Sequence, residues 1–142
     1  MQVRPLIDGF SVSPQLSADD IASLAQQGVR GIINNRPDGE APGQPASAEL
    51  AAAASAAGIG YRHVPFAGGG IDADVVTDFA QALADMPRPV VAFCRSGTRS
   101  TTLWALVAAR EGRAVDDILA RAAAAGYDLA GLAPWLIAEA PK

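Results

Sequence analysis

Short segments with the pattern of strands alternate with amphipathic segments along the chain. Residues 9–14, 29–34, 59–65 and 90–93 each begin at or beside a glycine or proline and predict strands. Ser17 is suited to cap a helix over residues 18–27, whose apolar residues Ile21, Leu24 and Ala25 share one face. Further helices are predicted over residues 46–57, 72–86, 100–110 and 115–126, and from about Pro134 onward.

This alternation of strand and helix predicts the α/β class, with a parallel sheet, right-handed crossovers and helices on its faces. The 142 residues suffice for one core, so residues 1–142 are expected to form a single domain, with Trp104 and Trp135 in that core. Loops at the carboxyl ends of parallel strands gather at one edge and form the usual ligand site. The three loops after the second, third and fourth predicted strands should therefore meet there.

Composition narrows the range of partners. Eleven basic and 15 acidic residues give a net charge of −4, which argues against nucleic acid and against an anionic membrane surface. No apolar run approaches the ~20 residues of a membrane span, and the N-terminus lacks the apolar region of a signal peptide. One cysteine permits no internal disulfide and suits a reducing compartment, so a cytoplasmic location is expected. No spacing typical of a metal site occurs, and neither metal nor cofactor is expected.

The loop that follows the predicted strand 90–93 concentrates the reactive groups. It runs from Cys94 to Arg99 and leads into a helix predicted to begin at Ser100. Backbone N–H groups and the positive end of the helix dipole would point at the cysteine, and the neighbouring arginines would favour its thiolate. We therefore expect a nucleophilic sulfur inside an anion-binding loop, at the floor of a pocket that solvent reaches.

Other residues of the loop have more than one interpretation. Arg99 lies where it can direct two N–H groups at a tetrahedral anion, whereas Arg95 points to solvent, pairs with an acidic residue or acts electrostatically. Ser100 could hydrogen-bond the thiolate or cap the helix. Backbone N–H groups, with a glycine that permits the necessary conformation, are the expected contribution of Ser96, Gly97 and Thr98.

Two neighbouring loops could contribute acidic or basic groups. Arg36, Asp38 and Glu40 flank the predicted pocket as possible binding or acid groups, although ordinary turn chemistry also explains Asp38. Asp72 is either a helix cap or a general acid. Three consecutive glycines, Gly68–Gly70, make the loop before it flexible.

Three ordered motifs carry a resemblance to a known family. They are Cys94–Ser100 (CRSGTRS), Phe10–Gln15 (FSVSPQ) and Asn35–Glu40 (NRPDGE). Together they resemble the beta-lactamase-hydrolase-like, phosphatase-like family, whose members are variously called sulfur transferases and phosphatases. The resemblance implies the fold of dual-specificity protein tyrosine phosphatases, with a four-stranded parallel sheet between helices. It also implies that Cys94 is the nucleophile and Arg99 the anion-binding arginine.

The chain departs from the pattern of protein tyrosine phosphatases in three ways. Arg99 follows Cys94 by five positions rather than six, Phe93 replaces a histidine, and Ala67 with the glycines stands where those enzymes carry an acidic residue. The short Cys-x4-Arg loop is similar to that of rhodanese-type sulfurtransferases, although the rhodanese fold itself is not supported. These departures favour sulfur transfer, which needs no strong general acid.

Three functions follow from these observations. In the favoured one, Cys94 takes sulfur from thiosulfate or a persulfide donor, holds it as a persulfide and passes it to a thiol acceptor. In the first alternative, Cys94 attacks a phosphate ester and a phosphocysteine forms. In the second, Cys94 is a redox-responsive thiol, or the loop binds an oxyanion without catalysis.

Overall fold

The computed structural model describes residues 1–141. Its strands are β1 (Arg4–Ile7), β2 (Phe10–Ser13), β3 (Gly31–Asn34), β4 (Gly60–His63) and β5 (Val90–Phe93). Its helices are α1 (Ala18–Gln26), α2 (Ser47–Ala57), α3 (Ala73–Asp85), α4 (Thr98–Arg110), α5 (Val115–Ala124) and α6 (Ala133–Glu139), with a 3₁₀ turn at Ala130–Leu132. No helix among residues 1–141 has both the length and the apolar character needed to cross a membrane.

The sheet has the strand order β1-β2-β5-β3-β4, so β5 lies at its centre. Strands β2, β5, β3 and β4 are parallel, as predicted, but β1 adds a fifth strand antiparallel to β2. The prediction of four strands was wrong because Pro5 interrupts the pattern of β1. Proline is tolerated there because β1 is an edge strand, where a missing N–H donor leaves no neighbour unpaired.

Helices cover both faces of the sheet and complete the three-layer α/β architecture. On one face α1 and α2 pack over Ile32, Val91 and Phe93 through residues such as Ile21 and Leu50. On the other face α4 is nearly enclosed, because α3, α5 and α6 surround it. Alternate residues of β5 face opposite layers, which explains why all four are buried.

One core prediction holds and another is wrong. Trp104 of α4 is buried, but Trp135 is 55% exposed. Helix α6 has only seven residues, and it buries Leu136 completely while the adjacent Trp135 faces outward. A short surface helix buries one stripe only, so neighbouring apolar residues cannot both be core residues.

The register of the sheet brings the functional loops together. Asn34 of β3 pairs with both His63 of β4 and Phe93 of β5, and Ser13 of β2 also pairs with Phe93. Four strands therefore end at one level, and the segments after them leave from the same edge, as predicted.

Candidate active site

Cys94 lies directly after the central strand, where the chain turns into α4. The Gly97 N–H donates a hydrogen bond to the Cys94 Sγ over 3.1 Å, so a backbone amide contacts the sulfur as the sequence predicted. Helix α4 begins at Thr98, two residues before the predicted start at Ser100, which brings its N-terminus closer to the sulfur. Cys94 is fully buried, so the prediction of a sulfur that solvent reaches is wrong for this conformation.

Gly97 adopts a conformation that other residues rarely take. Its φ is +96°, and a Cβ at this position would overlap the hydroxyl group of Tyr127. That hydroxyl donates to the Ser96 carbonyl over 3.0 Å and so braces the loop from the segment after α5. Burial is the main cause that raises the pKa of Tyr127, which keeps the phenol protonated. Sequence reasoning missed Tyr127, because nothing in its local pattern links it to a loop 31 residues earlier.

The carboxylate of Glu40 binds the guanidinium of Arg99 in a bidentate arrangement. Its Nη1 donates to Glu40 Oε2 and its Nη2 to Glu40 Oε1, each over 2.8 Å, and Nη1 also donates to the Phe66 carbonyl over 2.9 Å. The hydrogen bonds to Glu40 are the main cause that raises the pKa of Arg99, against the effect of burial. In turn, hydrogen bonds from Arg99 and Arg36 lower the pKa of Glu40 from 4.5 to about 2, against the effect of burial.

Arg36 extends this pair into a chain of contacts that reaches the cysteine loop. Its Nε donates to Glu40 Oε1 over 2.9 Å, and its Nη1 donates to Gln15 Oε1 over 3.0 Å. The Gln15 N–H then donates to the Arg95 carbonyl over 3.2 Å. His63 Nε2 lies 2.8 Å from the Arg36 carbonyl. The segments after β2, β3 and β5 and the last residue of β4 are thereby connected.

Ser100 serves neither of the roles predicted for it in this conformation. Its hydroxyl is fully buried and donates to Asn35 Oδ1 over 2.8 Å, while Asn35 Nδ2 donates to the Val64 carbonyl over 2.9 Å. Gly97 is the N-cap of α4, which has no side-chain cap. Asn35 is thus a bridge between β3, β4 and α4 to which the sequence analysis gave no role; its position at the end of an apolar strand was the available signal.

The two aspartates predicted as alternative acids both accept backbone N–H groups at helix starts, and Asp72 is the N-cap of α3. Asp38 Oδ1 accepts a hydrogen bond from the Ser47 N–H at the start of α2 over 2.8 Å. Asp72 Oδ1 accepts from the N–H groups of Asp74 and Val75 at the start of α3. The cap interpretation weighed for Asp72 therefore describes what the structure shows, whereas the bond of Asp38 reaches a helix nine residues later instead of forming the local turn interaction weighed for it.

The remaining predicted loop residues face outward. Arg95, Ser96 and Thr98 are exposed, and the Ser96 hydroxyl donates to Thr98 Oγ1 over 3.2 Å. The Arg95 side chain therefore follows the solvent-facing interpretation. The hydrogen bond to the Cys94 sulfur comes from the backbone N–H of Gly97 rather than from these side chains.

The assembled groups are suited to an oxyanion beside a sulfur nucleophile. Within residues 1–141, Glu40 and Phe66 accept three of the five guanidinium N–H groups of Arg99, and no acceptor is found for the Nε–H. The edge formed by Nε and Nη2 thus retains donors for a ligand. Over the same described residues, no cluster of three or more His, Cys, Asp or Glu side chains is placed to hold a metal ion.

Comparison with known proteins agrees with this arrangement. The family described as "Beta-lactamase hydrolase-like protein, phosphatase-like domain" matches residues 2–111. The chain belongs to this family. A Beta-lactamase hydrolase-like protein of Agrobacterium fabrum is 39% identical over 137 residues, which are 96% of this chain and 32% of that protein. The chain thus spans about a third of the length of this curated relative, and the single domain expected over residues 1–142 stays a prediction.

Solved structures of a similar protein and of a more distant phosphatase show the same fold. A Neisseria meningitidis protein described as a candidate phosphatase is 37% identical, with a TM-score of 0.86 over 98% of this chain and 99% of that one. A kinase-associated phosphatase, solved with its catalytic-site cysteine replaced by serine, is 15% identical, with a TM-score of 0.74 over 96% and 90% of the two chains. The resemblance and the phosphatase-like fold predicted from the three motifs are confirmed.

Proposed function

We propose that this phosphatase-like domain hydrolyses phosphate esters through a phosphocysteine formed on Cys94. The observation that most directly supports this proposal is the 3.1 Å hydrogen bond from the Gly97 N–H to the Cys94 Sγ. It lies at the start of α4, in the loop that also contains Arg99. A backbone donor and a helix N-terminus favour a thiolate and the charge of a bound phosphoryl group.

The reaction takes two balanced steps. The Cys94 thiolate attacks phosphorus, the S–P bond forms, and the P–O bond to the leaving alcohol breaks with its electron pair on that oxygen. Water then attacks phosphorus, the S–P bond breaks, and inorganic phosphate and the thiolate are released. Arg99 binds equatorial oxygens through the edge that Glu40 leaves free, which stabilises charge as it redistributes.

Substrate must gain access to a sulfur that is buried at rest. Because Cys94 has no exposed surface, the cysteine loop moves when phosphate enters. Glu40 keeps Arg99 over the loop meanwhile, and the chain of contacts through Arg36 and Gln15 holds Glu40. Glu40 is a positioning residue in this proposal.

Proton supply limits which leaving groups this site expels. With a pKa of about 2, Glu40 is ionised at neutral pH and has no proton to give. Asp38 and Asp72 each accept backbone N–H groups at a helix start through Oδ1, so their contacts in the structure are with helix backbone and not with the cysteine loop. General acid catalysis typically contributes ~10²–10⁴-fold, so esters whose oxygen leaves readily as an anion are the better substrates.

Sulfur transfer, which the sequence analysis preferred, has no support from the family or from the relatives described above. Their descriptions are of hydrolase-like proteins or phosphatases. We therefore place phosphoryl transfer first, with a phosphate ester as the substrate and neither thiosulfate nor a thiol acceptor. A cytoplasmic location and the absence of nucleic acid and membrane partners stay predictions.

Hydrolysis of p-nitrophenyl phosphate by the purified chain tests the proposal. We expect vanadate-sensitive turnover that Cys94→Ser abolishes, since the hydroxyl is a far weaker nucleophile than a thiolate. Acid quench during turnover should yield a mass increase of one phosphoryl group on Cys94. Arg95→Ala serves as the matched control, because it removes an exposed arginine from the same loop and should retain most activity.

Two outcomes would overturn the proposal. Turnover that persists in Cys94→Ser would place the chemistry elsewhere. Mixing with thiosulfate provides the second arm: a stable gain of one sulfur atom on Cys94, without any phosphatase turnover, would establish sulfur transfer instead.

A further inference from the structure

A cleft lies beside the candidate active site and shares Arg99 with it. Its volume is about 310 Å³, and it is lined by Phe66, Gly68–Gly70, Ile71, Arg99, Thr102 and Trp135. Arg99 is the one charged member of this lining, so the cleft joins a mainly apolar surface to the arginine at the end of the cysteine loop. A molecule whose phosphoryl group occupied the loop would extend into this cleft.

The cleft is open because the segment on one side of it has no side chains. A Cβ built on Gly69 or Gly70 meets nothing within 4 Å, and one on Gly68 would lie 3.9 Å from the Arg99 Cδ. The glycines therefore leave space directly beside the arginine. Side chains at these positions would occupy that space.

Trp135 lines the same cleft and is unusually exposed for its size. It is one of three large apolar side chains exposed among the described residues, with Met1 and Ile137. Of these three, only Trp135 lines the cleft. Its exposed indole provides a flat apolar face on which an aromatic ring can stack.

We propose that this cleft is a leaving-group subsite, and that Trp135 makes the domain selective for phosphate esters of aromatic alcohols. The inference rests on the proposed phosphatase activity and names its substrate class. Two independent features agree on it. The apolar lining favours a flat ring, and the engaged carboxyls favour a leaving oxygen that needs little protonation, as an aryl oxide does.

The first test compares two activated phosphates on the same variants. With p-nitrophenyl phosphate, Trp135→Ala should lower kcat/KM about ten-fold, whereas Trp135→Phe should retain most of the value because it keeps an aromatic face. With acetyl phosphate, whose leaving group is small and not aromatic, Trp135→Ala should change kcat/KM less than about two-fold. Ile137→Ala is the matched control, since Ile137 is 64% exposed on the same helix but does not line the cleft.

The second test measures binding and requires no turnover. Phenylphosphonate should bind more tightly than methylphosphonate to the wild-type chain, and that preference should disappear in Trp135→Ala. Phenylphosphonate should also change the tryptophan fluorescence more than methylphosphonate does, because Trp135 is exposed whereas Trp104 is buried.

The outcomes separate this inference from the proposed function. Equal losses on both phosphates in Trp135→Ala, or no loss on either, would overturn the aromatic subsite while phosphatase activity stands. If the wild-type chain hydrolysed neither p-nitrophenyl phosphate nor acetyl phosphate, the proposed function would be overturned. The preference for phenylphosphonate would then still decide whether the cleft binds aromatic groups.

Discussion

The two loops on either side of Arg99 are built in opposite ways. Residues 35–46, the acidic loop, are held by side-chain bonds from Asn35, Arg36, Asp38 and Glu40. Residues 67–71, the glycine segment, make no side-chain hydrogen bond within the described chain, and Gly68–Gly70 are all exposed. Both loops leave from the same edge of the sheet, so position in the fold does not explain the difference.

The contrast assigns different tasks to the two loops. The acidic loop fixes where Arg99 points, because Glu40 binds its guanidinium with two parallel hydrogen bonds. The glycine segment contributes space rather than contacts. The hydrogen bond that Arg99 makes nearest to it is with the carbonyl of Phe66, the residue that precedes the segment. A site that must hold an anion and also admit leaving groups benefits from one rigid side and one open side.

The largest effect should come from breaking the acidic loop at its buried start. Asn35→Ala leaves the Ser100 hydroxyl and the Val64 carbonyl without their partner in a site with no exposure. We expect a loss of about 2–4 kcal/mol in unfolding free energy, because each unpaired buried polar group costs about 1–3 kcal/mol. Urea denaturation measures the change.

A double-mutant cycle identifies the cause of that loss. Ser100→Ala should destabilise the wild-type chain more than it destabilises Asn35→Ala, since the shared hydrogen bond is already absent in the second case. Equal effects in both backgrounds would show that the two side chains do not depend on each other.

How far the sequence predicts this site depends on the range of each signal. Cys94, the glycine of its loop and the central strand are encoded within a dozen residues, and the structure places them as expected. The pairing of Glu40 with Arg99 spans 59 residues, and the sequence offers several carboxyls as partners. Only the packed sheet selects one of them.

The errors of prediction have physical causes of the same kind. Pro5 conceals β1 because a strand pattern excludes proline unless the strand lies at an edge. Trp135 was assigned to the core because its neighbours are apolar, yet α6 packs through one stripe only. Tyr127 has no local pattern at all, and its role depends on the end of α5 meeting the cysteine loop.

A smaller effect should follow from weakening the contact between the acidic loop and Arg99. Glu40→Gln removes the charge and one acceptor, so Arg99 is positioned less well, and kcat/KM for p-nitrophenyl phosphate should fall about ten-fold. Asp85→Asn is the control, because Asp85 pairs with Arg62 over 3.1 Å, a pair outside the catalytic loop. Unchanged kinetics in Glu40→Gln would remove Glu40 from the positioning role.

The effect of Glu40→Gln on the free energy of unfolding should depend on pH. The folded pKa of Glu40 is about 2, below its ordinary 4.5, so its contribution is complete above about pH 4.5 and is lost as the pH falls toward 2. The difference in unfolding free energy between wild type and Glu40→Gln should therefore stay constant from pH 5 to 8 and shrink below pH 4.5. A difference that grows on acidification would contradict the ion pair.

The smallest effect, and the one that separates the two loops most directly, concerns their glycines. A Cβ meets nothing within 4 Å at either Gly70 or Gly39, but only Gly39, in the acidic loop, has a positive φ of +76°. Gly70→Ala should raise the unfolding free energy by about 0.4–1 kcal/mol, because it restricts the unfolded chain without strain. Gly39→Ala should lower it by about 1 kcal/mol, because the left-handed conformation disfavours a Cβ. Thermal and urea unfolding of both variants measure the two changes. Changes of the same sign would mean that the glycine segment is held as firmly as the acidic loop, and the proposed division between a rigid and an open side would fail.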